Sequence, residues 1–168
     1  MADDPVFAVD RLMGEARRLA AEYRRTVGRP LAISGEIAGY DAARLLDLEL
    51  CPASSPGWDA LGRGRRAGQR IQIKARAIFD EGKGGQRIGQ LKLEQPWDCV
   101  VLVLMDDHFE PFEIWEADRE QVVTALDPES PRSRRGAMSV ARFKAIGRLA
   151  WTREEGLIDD EIWDNGHG

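Results

Sequence analysis

The chain's 168 residues suit a single domain that can bury a proper core, and 29 acidic against 24 basic residues leave a net charge of −5, which argues against a general nucleic-acid coater. Cys51 and Cys99 lack C-x-x-C spacing, and with only His108 and His167 there is no zinc constellation, so reduced thiols in a cytoplasmic protein are expected. The apolar run at 100–105 is strand-sized, far short of a membrane span, and residues 1–5 lack the basic region of a signal peptide, so no membrane partner is expected.

In chain order, Asp4-Pro5 opens a helix over 5–27 with Val9, Leu12, Met13, Ala16, Leu19, Ala20 and Tyr23 on one face, ended by Gly28 and Pro30. Ser34 is a plausible N-cap for a second helix over 34–46, whose small residues Gly35, Ala38, Gly39, Ala42 and Ala43 allow close packing on a sheet. Glu36 falls in its first turn, where a carboxylate complements the helix dipole or projects over the sheet toward Asp59. After Gly57-Trp58-Asp59, the run 70–78 alternates Ile71, Ile73, Ala75 and Ala77 with Gln72, Lys74 and Arg76. That period of two predicts a strand whose polar side chains share the face opposite the core.

The later elements complete a coarse architecture. Residues 98–105 read as a central strand, Asp106-Asp107 as a turn, and 109–115 as a neighbouring strand. Asp118 with Gln121 forms a capping-box pattern opening a helix through Leu126. Ser139 caps a last helix through Val140, Phe143, Ile146 and Leu149, followed by an acidic tail that starts at Glu154. The expectation is an α/β fold, a mixed central β-sheet flanked by helices in one domain over 1–168. Within it lie the helix 5–27, a core at about 33–127 and a helix with acidic tail over 138–168, the loop 127–137 being the candidate boundary. The five tryptophans read as core or helix anchors, with Trp58 singled out because it adjoins Asp59.

A carboxylate at Asp59 and, thirteen residues on, an amide and an ammonium at Gln72 and Lys74 are groups that can hold a divalent metal and polarise a phosphate. A helix Glu, a strand Asp and then (Asp/Glu/Gln)-x-Lys on the adjoining strand resemble the PD-(D/E)xK, or restriction-endonuclease-like, superfamily. Residues 35–43, 55–59 and 70–76 look like an uncharacterised bacterial branch of it, the likeness covering about 33–115. Two features depart from the usual pattern: Pro56 stands three residues before Asp59, and position 72 is an amide.

The resemblance implies a metal-dependent endonuclease hydrolysing DNA phosphodiester bonds, in defence or repair, with Glu36, Asp59, Gln72 and Lys74 as catalytic residues. Mg²⁺, or Mn²⁺, would be held by Asp59, the Ile73 carbonyl, the Gln72 amide oxygen and Glu36, which suits an ion that takes oxygen ligands and keeps several waters. Lys74 would bond the attacking water or the phosphate. Between Arg63 and Arg87 eight cations face two carboxylates, so Arg63, Arg65, Arg66 and Arg76 are the candidate phosphate contacts. The expected partner is DNA, with a homodimer as a further expectation. Two other readings stay open: a catalytically inactive nucleic-acid-binding module, in which Gln72 marks lost chemistry, and a structural or interaction domain.

Overall fold

A computed structural model describes residues 5–52, 57–79, 85–126, 129 and 136–158. The fold is mixed α/β. Helices α1 (Pro5–Val27) and α2 (Ser34–Leu46) come first, then β1 (Leu48–Leu50), β2 (Ala60–Gly62), a single 3₁₀ turn (Gly64–Arg66), β3 (Arg70–Ala77) and β4 (Arg87–Ile88). Strands β5 (Cys99–Met105) and β6 (Pro111–Asp118) lead into α3 (Arg119–Ala125), and β7 (Met138–Ser139) into α4 (Val140–Ile146), before the hairpin β8 (Arg148–Thr152) and β9 (Gly156–Leu157). Seven strands form one sheet in the order β1-β2-β3-β5-β6-β8-β9, in which β3 and β5 run parallel and the other neighbours antiparallel. A separate two-stranded ladder joins β4 to β7.

Every residue of β5 is buried because both faces of the sheet are covered. Val101, Val103 and Met105 join Ile71 beneath α2, together with Ala20 of α1 and Ile37, Ala38 and Ala42 of α2. Val100, Leu102 and Leu104 face the other way, onto Trp97, Leu91, Val122 and Phe143. An unbroken apolar run is what such two-sided burial requires.

Local chemistry explains several boundaries. Asp118 accepts from the Gln121 amide at 2.8 Å while Gln121 Oε1 accepts from the Asp118 amide at 2.9 Å, so both halves of the expected capping box form. The Ser139 hydroxyl accepts from the Arg142 amide at 3.1 Å and starts α4 as expected. Ser34, by contrast, is the first helical residue of α2; Ile33 stands at the cap and makes no side-chain cap bond.

Other expectations need correction. Val9, Leu12 and Leu19 of α1 are exposed, and the helix docks instead through Arg17, Ala20 and Ala21. The Arg17 guanidinium makes two 2.9 Å bonds to fully buried Asp41 of α2 and a third to the Phe109 carbonyl. The second strand of the β5–β6 pair starts at Pro111, not 109, because the turn that precedes it occupies residues 106–110. Leu149 lies in β8: a Cβ at Gly147 would come within 2.6 Å of the Glu116 carbonyl, a closeness that stops the helix against β6. Glu154 and Glu155 form the β8–β9 turn, so the tail does not start there. The rest of that tail, Trp163 and most of the 127–137 loop lie outside the described residues. No helix among the described residues is long and apolar enough to cross a membrane.

Candidate active site at the start of β2

Strand β2 is only three residues long, and its pairing with β3 covers Ala60↔Ile71 and Leu61↔Arg70. Beyond Ile71, no strand among the described residues pairs with the β2-side edge of β3. Asp59 stands at that fork. Its amide donates to the Ile71 carbonyl at 2.8 Å, its carbonyl accepts from the Cys51 amide at 2.8 Å, and its Oδ2 accepts from the Ile73 amide at 2.7 Å. The N–H and C=O of one strand residue point to the same edge, so the Ile73 carbonyl opens beside this carboxylate.

The approach to Asp59 depends on Gly57. Its φ of +88° suits glycine, and a Cβ there would lie 2.6 Å from Gln95 Oε1 and 2.9 Å from Gln95 Cβ. Helix α2 supplies the opposite wall. Ile37 and Ala38 pack on the sheet, which leaves Glu36 exposed over a cleft of about 510 Å³ that it shares with Leu50, Cys51, Trp58, Asp59 and Ile73. Gly35 and Gly39, one turn apart on α2, leave room in that cleft.

Gln72 and Lys74 pair in register with Val100 and Leu102, so they lie on the face of β3 away from α2 and off the cleft walls. The polar face expected to be wet is largely covered. Gln72 is 6 % exposed with its Oε1 buried and unpartnered among the described residues, Lys74 is half-buried, and Arg76 alone of the three is exposed. Lys74 Nζ donates to the Gln90 carbonyl at 2.9 Å. Burial pushes the Lys74 pKa below the ordinary lysine value; Asp59 pulls it back up and Lys92 pushes it further down.

The structure therefore gathers Glu36, Asp59 and Ile73 in one cleft. Lys74 feels the charge of Asp59 from across the strand. Gln90 and Lys92 belong to this neighbourhood and carry no sequence signal, since an irregular segment brings them over β3.

The four candidate phosphate arginines divide. Arg63 is exposed, 3.6 Å from Asp47 and 3.7 Å from Glu49; Arg65 is exposed beside the Ile158 carbonyl at 3.4 Å; Arg76 is exposed and makes no ion pair among the described residues. Arg66 is a correction. It is 6 % exposed and binds Glu116 through Nε at 2.8 Å and Nη2 at 3.1 Å, while Arg148 Nε reaches the same carboxylate at 2.6 Å. Its guanidinium is an internal strut with no free face for a phosphate. Burial would raise the Glu116 pKa, but Arg66 and then Arg148 hold it below the ordinary glutamate value.

Among the described residues no three His, Cys, Asp or Glu side chains cluster as a ready metal cage. The donors that the cleft brings together are two carboxylates, Asp59 and Glu36, and the Ile73 main-chain carbonyl. Such an all-oxygen set suits a hard cation that keeps part of its water shell. Comparison with known proteins finds no family pattern that matches the chain and no curated protein that aligns with it.

Proposed function

We propose that the chain is a metal-dependent endonuclease of the restriction-endonuclease-like kind, cleaving DNA phosphodiester bonds with Mg²⁺ or Mn²⁺. The observation that carries this reading is Asp59, fastened to the Ile73 amide at the β2-side edge of β3 and facing Glu36 across one cleft. Asp59 Oδ1, the Ile73 carbonyl and Glu36 are the residues that would hold the cation; the Gln72 side chain, expected as a further ligand, lies on the other face of β3 and does not line that cleft. Bound there, the cation would lower the pKa of a water and offset charge on the phosphate. Asp59 is rigid because its amide, carbonyl and one carboxylate oxygen are all bonded to neighbouring backbone. Lys74, kept in place by Gln90, would donate to a phosphate oxygen or the attacking water. Arg63, Arg65 and Arg76 are the exposed cations proposed to track the DNA backbone. Defence or repair of DNA in the cytoplasm is the proposed setting.

The test is nicking of supercoiled DNA with Mg²⁺ and with Mn²⁺. Wild type should nick; Asp59→Ala and Lys74→Ala should lose nicking yet still bind DNA; Gln72→Glu should bind the metal more tightly and keep activity, because it adds a negative charge near the cation. One observation favours a second reading, an inactive DNA-binding module: Gln72 is neutral, buried and off the cleft walls. DNA binding without cleavage by wild type or by Gln72→Glu, with either metal, selects that module. Absence of both binding and cleavage removes nucleic acid from the account.

A further inference from the structure

We infer that the outer side of α1 is a self-association surface, on which a second copy of this chain lays its own α1 antiparallel. The helix has two stripes. One docks on the body through Arg17, Ala20 and Ala21. The other carries Val9, Leu12, Ala16, Leu19 and Tyr23 at alternating spacings of three and four, the seam of a helix pair. Val9 is 43 %, Leu12 53 % and Leu19 57 % exposed, and Val27 is 48 % exposed at the end of the helix. Large apolar side chains lined up along one exposed helix side mark a contact site.

The charges beside this seam select the occupant. Arg11, Glu15, Arg18 and Glu22 alternate in sign along the exposed flank, and none of them makes an ion pair among the described residues. In a parallel two-fold pair this flank would meet the partner's opposite flank, where Met13 and Ala20 carry no charge, and the four charged residues would gain no partner. In an antiparallel pair Leu12 and Leu19 interleave with the partner's Leu19 and Leu12. Arg11 then faces the partner's Glu22, and Glu15 the partner's Arg18. A stable interface buries about 800 Å² on each side, more than one helix stripe supplies, so the association is expected to be weak and concentration-dependent. An anionic lipid surface would take the leucines, but the flank beside them, two arginines against Glu15 and Glu22, sums to no net charge and adds no attraction.

Sedimentation of the full chain over a wide concentration series tests this. The mean mass should climb from one chain toward two, and Leu12→Gln with Leu19→Gln should hold it at one chain while thermal melting shows the fold intact. Arg11→Glu or Glu22→Arg alone should weaken association about threefold or more, since each change affects two symmetric pairs. The two together should restore it. Within one helix those positions lie about 16 Å apart along the axis and cannot reach each other, so rescue reports contact between chains. A wild type that stays a single chain throughout, association indifferent to the two leucines, or reversal without rescue would each overturn the inference. Leucine-dependent binding to anionic vesicles by a chain that stays single in solution would assign the stripe to lipid instead.

Discussion

Arg66→Met separates an internal strut from a DNA contact, because methionine keeps an unbranched apolar stem and removes the charge and the N–H donors. Arg66 and Glu116 have side chains 8 % and 9 % exposed, so the change leaves a buried carboxylate with Arg148 as its one charged partner in this network. Breaking a buried pair costs about 3–5 kcal/mol, and the surviving Arg148 contact puts the expected loss near the lower end, about 3 kcal/mol. For a domain of this size that is a fall in Tm of roughly 6–12 °C. Acidity should shrink it. In the fold Glu116 titrates below its ordinary value, so its support is present above the unfolded pKa of about 4.3 and is lost as pH falls through the folded value. In Arg66→Met burial dominates and the carboxyl titrates higher, so the penalty is full at neutral pH and fades once the group is protonated in both states. Urea denaturation at neutral pH and near pH 4 reads both effects, and Arg66→Met with Glu116→Met should recover part of the loss by removing the lone charge. A single variant within about 0.5 kcal/mol of wild type, or a loss equal at both pH values, would refute the buried-strut reasoning.

Exposed Arg63→Ala should lie within about 0.5 kcal/mol of wild type in stability while lowering the salt slope of DNA binding by about one unit if it contacts a phosphate; an unchanged slope moves the DNA path elsewhere. Under native conditions a thiol reagent should label Cys51, which lines the cleft, and spare Cys99, whose thiol burial pushes up to about 12. Mn²⁺ at the cleft should then alter the Cys51 rate, and a rate indifferent to the ion would count against a cation there. Asp59→Asn removes the group that pulls the Lys74 pKa up, so Lys74 should acylate faster at fixed pH; mass spectrometry showing an equal or slower rate would break that link. Gly57→Ala should destabilise the fold by at least about 1 kcal/mol, and its melting curve would overlay wild type if Gln95 moves aside without penalty.

Elements written in local chemistry were legible before any coordinates. The capping box at Asp118 and Gln121, the cap at Ser139 and the unbroken run of β5 each follow from neighbours in sequence. Strands β1, β4, β7 and β9, two or three residues each, were not, because pairing with distant partners defines them. Leu149 continued a helical spacing by coincidence, and only close packing on Glu116 ends α4 before it. Arg66 misled and Arg17 went unread for one reason: patterning places charge outside, and a guanidinium with a buried carboxylate reverses the rule. At the candidate site the motif pointed to Asp59 and Glu36, which do share a cleft. The turning of Gln72 and Lys74 to the other face was hidden because alternation cannot tell a wet face from one covered by a second core.

The Arg17 contacts also bear on the order of events in folding. Its acceptors lie 24 and 92 residues away, on Asp41 and on the Phe109 carbonyl in the turn between β5 and β6. That carbonyl is in position only once the turn has closed, with Phe109 itself at a φ of +59°. A guanidinium leaving water earlier would lack one of its partners. The helix nearest the start of the chain is therefore expected to be secured only after that turn, and Arg17→Met should speed unfolding while leaving the refolding rate nearly unchanged. An equal slowing of refolding would place α1 in the nucleus.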